Sequence, residues 1–314
     1  MTRRSFLQSA VKTILAMGFG GLFSPRAAFA ADGIQHLRQM VTAHPAKTRM
    51  IQWDSPQQLE NVRIEQRDSK GHMDRTIPAY TYLAMDDEMQ FIYHGEIPVT
   101  AGSFYRIIHT AGATDWIPIL PIHEDGQVRA LLFSDSQCGE SYEVWETTYQ
   151  TAWERHPNAD CAAIVGDLTD NGESAWHWRS FFESMETGTA LARHPHVPVL
   201  GNHEYYGLQW TAVPPVRYLK TFALPDNGSR DFRGHYYSFD LGSVHCIVLD
   251  TQFLEAEERG DTLKAEQMDW LRRDAATSAA PWKIVLMHKD ILAYGDYQPE
   301  QNRNDGISDV GQVF

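Results

Sequence analysis

The chain has 314 residues, 43% of them hydrophobic, and a formal net charge of −14 at neutral pH. Its length allows one large domain or two smaller ones, and the hydrophobic content is sufficient for a sizeable core. An acidic surface repels nucleic acid and anionic membranes. This charge therefore excludes functions that depend on electrostatic binding to nucleic acid or to an anionic membrane.

The first thirty residues have the layout of an export signal. Arg3 and Arg4 precede an apolar run at 13–23, and residues 28–30 offer a small-residue cleavage site. The paired arginines resemble a twin-arginine signal. The apolar run is shorter than the ~20 residues that a membrane-spanning helix needs. We therefore expect residues 1–30 to be removed and the mature protein to be periplasmic or secreted, without stable membrane association.

Removal of residues 1–30 takes away four basic residues and no acidic residue, so the net charge of the mature chain becomes −18. Negative charge of this size repels phosphate esters at long range, as it repels nucleic acid. Any phosphate-binding site in this protein therefore needs bound cations to offset that repulsion.

The N-terminal part of the mature chain, residues 31–125, has the pattern of a β-sandwich. Residues 32–46 look like a loose linker or a short helix, and four strand-like runs follow, separated by Gly, Pro, Asp and Ser. Several short strands with turn signals and no helical periodicity are typical of a sandwich, here of fibronectin III-like type. The strands are predicted at 49–53, 80–84, 90–94 and 103–108.

The pattern changes at residue 128, where continuous apolar strands begin to alternate with helical segments. This alternation indicates sheets that are buried on both faces, so residues 126–314 are predicted to form a second, layered α/β domain. Strands are predicted at 130–133, 161–165, 197–200 and 283–287, helices at 140–155, 173–185 and 262–276, and a hairpin at 236–250.

The three cysteines, Cys138, Cys161 and Cys246, cannot all pair, and no two of them have zinc-ribbon spacing. Cys161 and Cys246 lie in apolar runs that are typical of buried strands. This position favours core packing for both thiols over a disulfide bond between them.

Four of the predicted strands end in residues that commonly bind metals: Asp135, Asp167, Asn202 with His203, and His288. In open α/β sheets, ligands bind at the carboxyl ends of the strands, where side chains distant in sequence converge. Carboxylate, amide and imidazole groups hold Zn, Mn, Fe or Mg, and paired cations ~3.5–4 Å apart are usual for in-line phosphoryl chemistry. Each Asp alone could instead cap the next helix, but four strand ends together favour a metal site.

The segments 133–137, 166–172, 201–204 and 287–288 resemble, in order, four of the five motifs of calcineurin-like metallophosphoesterases. The resemblance covers roughly 128–314, and the preceding sandwich is similar to the domain that precedes the catalytic domain in purple acid phosphatases. It implies a layered αββα fold and metal-dependent hydrolysis of phosphate esters, with phosphomonoesters as the first expectation. The implied partner is a small phosphate ester, and not nucleic acid.

The resemblance also implies a role for each residue. Asp135 would bind the first metal, Asp167 would bridge two metals, and Asn202 and His288 would bind the second. His203 would contact the phosphate and help to protonate the leaving oxygen, a task suited to an imidazole pKa near 6.5. The implied cofactors are two divalent or mixed-valence transition metal ions, namely Fe, Mn or Zn.

The sequence departs from the family pattern at three places. Gln137 stands where calcineurin-like members carry His, which implies a weaker first site or one selective for a harder metal. Asp170 stands where purple acid phosphatases carry the Tyr that binds ferric iron, so no purple chromophore is expected, and Asp170 is predicted to support a ligand or cap a helix. The Gly-His-x-His motif does not occur, so we expect the phosphoesterase domain to be incomplete at its C-terminus.

Three functions remain open from the sequence: a phosphomonoesterase, a phosphodiesterase or nucleotidase of the same family, and a degenerate protein that binds metal or a partner without catalysis. Glu204 is expected to support a ligand more often than to be one. His235 and His245 are predicted as strand residues and not as ligands. Tyr205 and Tyr206 either line the mouth of the site or pack in the core.

Overall fold

The computed structural model describes residues 32–78, 80–85, 90–122 and 127–289. The predicted export signal and the predicted incomplete C-terminus lie outside the described residues. Among the helices that are described, none combines the length and the apolar character needed to cross a lipid bilayer.

The described residues form strands and helices in the following order. The strands are β1 (Gln35–Met40), β2 (Thr48–Ser55), β3 (Arg63–Arg67), β4 (Met73–Pro78), β5 (Tyr80–Met85), β6 (Gln90–Pro98), β7 (Phe104–His109), β8 (Gly112–Ala113), β9 (Ile117–Pro118), β10 (Ala130–Phe133), β11 (Cys161–Val165), β12 (Pro195–Val199), β13 (Tyr237–Leu241), β14 (Val244–Val248) and β15 (Trp282–Leu286). The α-helices are α1 (Glu143–Arg155), α2 (Ala175–Glu186), α3 (Ala190–Arg193), α4 (Val216–Thr221) and α5 (Gly260–Thr277), with 3₁₀ turns at His203–Tyr205 and Glu257–Arg259.

A seven-stranded sheet runs through the described part of the molecule in the order β10-β11-β12-β1-β2-β6-β5. β10, β11 and β12 are parallel, so their carboxyl ends lie along one edge. A three-stranded sheet has the order β13-β14-β15, with the predicted hairpin between β13 and β14 and parallel pairing of β14 with β15. Parallel strands followed by crossover helices direct their terminal loops to a common edge.

The two sheets pack face to face, and helices cover their outer faces. Ala163 and Val197 of the large sheet lie in one buried cluster with Phe239 and Val248 of the small sheet. On the outer face of the large sheet, aromatic residues of α1 and α2 form a second cluster, which includes Trp145, Tyr149, Trp178 and Phe181. On the outer face of the small sheet, β14 packs against Leu263, Trp270 and Leu271 of α5. The layers therefore run helix, sheet, sheet, helix, which is the αββα arrangement predicted for this part of the chain.

The N-terminal strands also form a two-layer packing, but one of its layers is not separate. Ile51 and Trp53 of β2 share a buried cluster with Ile64 of β3 and Ile107 of β7, which belong to a sheet of order β4-β3-β7-β8. However, β1 pairs directly with β12, so the sheet that contains β2 and β6 continues into the phosphoesterase-like region. Sheet pairing therefore crosses the predicted division at 125/126, while the fibronectin III-like type of the N-terminal sandwich stays a prediction.

The prediction of a loose linker or helix at 32–46 is wrong, because residues 35–40 form β1. The sequence of this strand is largely polar, yet the side chains of Arg38 and Gln39 are fully buried. Arg38 Nη2 donates to Asp54 Oδ1 at 2.9 Å and to the carbonyl oxygen of Thr221 at 2.9 Å, and Gln39 Nε2 donates to the carbonyl oxygen of Ala192 at 2.9 Å. Asp54 lies on β2, so its ion pair with Arg38 fixes β1 to β2, and removing one partner of such a buried pair costs about 3–5 kcal/mol. The hydrogen bonds to Thr221 and Ala192 join β1 to the rest of the fold.

Cys161 and Cys246 are buried in the layer between the two sheets and are unpaired. The predicted packing role of both thiols is therefore confirmed. Burial raises the pKa of Cys246 to about 12, which keeps this thiol protonated and unreactive.

Candidate metal centre

Three side chains that could bind a metal meet at the carboxyl edge of the sheets. Asp135 lies two residues after β10, Asp167 two residues after β11, and His288 two residues after β15. Each offers one ligand atom, and the three atoms lie within 4.8 Å of one another. Asp135 is exposed, His288 is half-buried and Asp167 is buried, so the group opens to solvent on one side.

The backbone of the two aspartates is held in an uncommon conformation. Asp135 has a φ of 54° and Asp167 a φ of 51°, both in the left-handed region that Asp adopts more readily than most residues. The Asp135 backbone N donates to the Gly166 carbonyl oxygen at 3.2 Å, and the Gln137 backbone N donates to the Asp167 carbonyl oxygen at 3.1 Å. The loops after β10 and β11 thus fix each other, and both carboxylates stay at the same edge.

Two glycines allow these loops to approach one another. A methyl group on Gly166 would overlap the imidazole ring of His288, and one on Gly201 would overlap the backbone N and the carboxylate of Asp167. Gly166 also has a φ of 80°, which strains any residue with a side chain. Glycine at both positions is therefore a packing requirement of the site.

Asp167 is the most heavily contacted of the three groups. Its Oδ1 accepts a hydrogen bond from the His203 backbone N at 3.0 Å, and its Oδ2 accepts one from Gln137 Nε2 at 3.2 Å. His288 Nε2 lies 3.3 Å from the same Oδ2 atom. Burial raises the pKa of Asp167, but the contact with His288 and the His203 hydrogen bond outweigh it and lower that pKa below its ordinary value. Asp167 is therefore a carboxylate at neutral pH.

The His288 ring is oriented by its other nitrogen. Because a carbonyl oxygen can only accept, His288 Nδ1 donates to the Val165 carbonyl oxygen at 2.9 Å, which turns Nε2 toward Asp167. Burial lowers the pKa of His288, but the Asp167 carboxylate raises it to about 9. The Asp167 carboxylate thus favours the protonated form of the His288 ring.

The chemistry of this group fits a divalent cation. Two carboxylates and an imidazole are a common ligand set for Zn, Mn or Fe. Among the described atoms, the Gln137 side-chain oxygen is buried without a hydrogen-bond partner, although its nitrogen bonds Asp167. An unpaired buried acceptor beside two carboxylates costs free energy unless a cation or a donor satisfies it.

Asn202 and His203 follow β12 and lie beside this group. Asn202 Nδ2 donates to the hydroxyl oxygen of Tyr206 at 3.3 Å, which fixes the amide. His203 Nδ1 donates to the Asp170 carbonyl oxygen at 2.6 Å, so Nδ1 carries the proton. His203 Nε2 lies 3.8 Å from Asp167 Oδ2.

Glu204 and Asp170 support the site from behind and do not belong to the three-residue group. The buried Glu204 carboxylate accepts four backbone N–H bonds, from Asp167, Leu168, Thr169 and Gly201, at 2.8–3.2 Å. Asp170 holds His203 through its carbonyl oxygen. Its predicted alternative role as a helix cap is wrong, because the side chain of Ser174 caps α2.

The other histidines named from the sequence lie elsewhere among the described residues. His235 precedes β13 in a turn, which corrects its prediction as a strand residue. Its Nδ1 lies 2.8 Å from Asp250 Oδ2, and Tyr205 donates its hydroxyl to the same oxygen at 2.6 Å. Tyr205 therefore packs in the interior. His245 lies on β14, as predicted, with its two ring nitrogens 2.8 Å from Asp240 and Asp274.

Two aromatic rings lie close to His203. The Tyr206 ring centroid lies 5.1 Å from that of His203, and the Trp210 centroid lies 6.3 Å from it. Trp176, the second residue of α2, packs against His177 with 4.6 Å between ring centroids and is 44% exposed. Sequence reasoning missed Trp210 altogether, because only the shape of the loop after the 3₁₀ turn brings it back to the site.

Comparison with known proteins points to one family. The profile of the calcineurin-like phosphoesterase family matches residues 128–310, more than half of the chain. An uncharacterised protein of Mycobacterium tuberculosis is 30% identical over 147 residues, which cover 42% of this chain and 27% of that protein. Purple acid phosphatase 15 of Arabidopsis thaliana is 30% identical over 132 residues, 41% of this chain and 23% of that protein.

A solved structure shows the same fold. The purple acid phosphatase isolated from yellow lupin (Lupinus luteus) seeds superimposes with a TM-score of 0.66 at 16% sequence identity, over 86% of this chain and 53% of the lupin chain. The matched part of this chain thus spans about a quarter of the length of the two relatives and about half of the lupin protein.

Proposed function

Because this chain belongs to the calcineurin-like phosphoesterase family, we propose that it hydrolyses phosphate esters with bound metal ions, and phosphomonoesters in particular. The observation that carries the proposal is the meeting of Asp135, Asp167 and His288 within 4.8 Å, next to the imidazole of His203, whose Nε2 lies 3.8 Å from Asp167 Oδ2. This arrangement supports both functions that ester hydrolysis requires, cation binding and proton donation.

In this proposal Asp135, Asp167 and His288 hold cations together with Asn202, and Gln137 contributes its unpaired oxygen. The cations are a pair of divalent or mixed-valence Fe, Mn or Zn ions. When bound, such cations lower the pKa of a water molecule to about 7 and neutralise charge on the phosphoryl oxygens. They also offset the negative surface, which otherwise repels a phosphate ester.

His203 protonates the leaving oxygen. To do so the ring carries a proton on each nitrogen. The Nδ1 proton stays hydrogen-bonded to the Asp170 carbonyl oxygen, which orients the ring, and the Nε2 proton is the one transferred to the leaving oxygen. Glu204 keeps the backbone of Asp167 and Gly201 in place through its hydrogen bonds to their N–H groups. Such a rigid surrounding structure matters because displacement of reacting groups by about 1 Å costs about 10²-fold in rate.

Metal analysis combined with a substrate panel tests the proposal. We expect the purified 314-residue chain to retain transition metal, and to hydrolyse 4-nitrophenyl phosphate and glycerol 2-phosphate faster than bis(4-nitrophenyl) phosphate. Faster turnover of the diester would instead favour the phosphodiesterase. A protein without metal and without activity, even after incubation with manganese, zinc or iron, would support the degenerate binding protein and contradict the proposal.

We further propose that the protein acts outside the cytoplasm on small esters, without nucleic-acid partners or stable membrane association. The motivating observations are the twin-arginine-like segment at 1–30 and the charge of −14. Replacing Arg3 and Arg4 by Lys is expected to retain the protein in the cytoplasm, as fractionation would measure. Unchanged export of the double variant would contradict this route.

A further inference from the structure

Trp210 lies at the protein surface and not in the core. Its side chain is 58% exposed, although its ring lies edge-on to His203 with 6.3 Å between centroids. Its backbone has a φ of 58°, a conformation that is strained for a bulky residue. Strained backbone in an ordered segment concentrates at functional sites, so this geometry calls for a functional explanation.

The loop that carries Trp210 is held firmly at its base. Tyr206 bridges to Ala212, and the Gly207 backbone N donates to the Thr211 carbonyl oxygen at 2.9 Å. Asn171 Nδ2 donates to the Gly207 carbonyl oxygen at 2.7 Å. Glu173 Oε2 accepts from the Leu208 backbone N at 2.9 Å. The position of Trp210 above the site is therefore set by the segment that follows Asp167.

The aromatic surface lies on the side of the site where a leaving group would be. Tyr206 and Trp210 pack against each other at 6.1 Å, and both approach the His203 ring. A proton donor contacts the leaving oxygen, so whatever is attached to that oxygen extends past His203 toward these rings. Flat π-systems stack favourably on such side chains.

We propose that this enzyme selects phosphate esters whose leaving group carries a flat aromatic ring, and that Trp210 is the residue that determines this specificity. The inference rests on the function proposed above, because it assumes that His203 marks the leaving-group side. The aromatic ring has two possible sources, the base of a nucleoside monophosphate and the phenyl ring of an aryl phosphate. The shared chemistry is an uncharged, planar ring one bond or one sugar away from the ester oxygen.

The first test compares substrates in the metal-loaded chain. Trp210→Ala is expected to lower kcat/KM about tenfold for 5′-AMP and for phosphotyrosine, mainly through KM, and less than about twofold for glycerol 2-phosphate, since tenfold corresponds to ~1.4 kcal/mol of lost stacking. Trp210→Phe should restore most of the loss. The wild-type preference between 5′-AMP and phosphotyrosine identifies the source of the ring.

Leu208→Ala is the matched control, because Leu208 lies in the same loop and is also 58% exposed. We expect it to leave all three kcat/KM values within about twofold of wild type. Equal losses for all three substrates in Trp210→Ala would indicate a structural role and overturn the inference. Unchanged values for 5′-AMP and phosphotyrosine would overturn it as well.

A binding measurement separates this inference from the proposed function. Adenosine and phenol, which lack phosphate, are expected to quench the tryptophan fluorescence of the wild type. They should also quench that of Trp282→Ala, a variant remote from the site. At least one of them should not quench the fluorescence of Trp210→Ala. Loss of all hydrolysis with this quenching pattern would contradict the proposed function and the ester selection that rests on it, and would leave Trp210 only as a binding surface for a flat ring. If neither ligand quenches the fluorescence, or if both quench Trp210→Ala as they quench the wild type, the specificity inference is overturned. Hydrolysis of glycerol 2-phosphate then still tests the proposed phosphatase function.

Discussion

Asp167→Asn is expected to lower metal affinity more than about hundredfold and to remove measurable turnover of 4-nitrophenyl phosphate. Loss of a supporting group around a metal site costs about 10–100-fold, and Asp167 is itself a charged group of the cluster. The substituted amide can still accept from the His203 backbone N. However, if the new amide nitrogen takes the place of Oδ2, it lies against the side-chain nitrogens of Gln137 and His288. Three hydrogen-bond donors would then face one another. Elemental analysis and steady-state kinetics measure the two effects.

Asp240→Asn is the control for this variant. Asp240 Oδ1 also contacts a histidine, His245, at 2.8 Å, but it lies at the opposite end of the three-stranded sheet from His288. The same chemical change there is expected to leave metal content and turnover within about twofold of wild type. Full metal content and full activity in Asp167→Asn would contradict the assignment of the metal centre.

His203→Ala is expected to lower kcat by about 10²–10⁴-fold for glycerol 2-phosphate, the usual contribution of a general acid. The loss should be smaller for 4-nitrophenyl phosphate, because 4-nitrophenolate leaves readily without a proton. Metal content should remain close to that of the wild type, since the three-residue group consists of other side chains. Kinetics on the two esters, with elemental analysis of the same samples, measure these effects.

His72→Ala serves as the control for the loss of an imidazole. His72 is exposed and contacts Asp68 in the turn between β3 and β4, remote from the site. We expect unchanged kinetics on both esters. Equal losses on the two esters in His203→Ala would argue against proton donation, and loss of metal in that variant would make His203 a ligand.

Much of the fold follows from hydrophobic periodicity, and the exceptions have a common cause. β10, β11 and β15 are apolar runs, so the sequence predicts each within one residue. β1 was not predicted, because its Arg38 and Gln39 are buried through partners contributed by Thr221 and Ala192, far along the chain. Burial of polar residues through distant carbonyl groups leaves no local pattern in a sequence.

Part of the candidate site, like part of the fold, can be predicted from the sequence. Asp135, Asp167 and His288 could be named in advance, because parallel strands bring their carboxyl ends to one edge. The roles of these residues as ligands remain predictions. The sequence draws attention to Gln137 only because it stands where the family pattern has His. The position of Trp210 depends on a loop that is held by Asn171 and Glu173, and sequence spacing does not encode such a contact.

The pairing of β1 with β12 has a consequence for engineering this protein. β12 leads directly into Gly201, Asn202 and His203, and its other neighbour in the sheet is β11. The N-terminal segment thus supports the strand that leads to His203, and it is not an exchangeable accessory module. If residues 126–314 were fused to another protein without the N-terminal segment, β12 would lose its pairing with β1 and become an edge strand. Such an unpaired edge promotes misassembly.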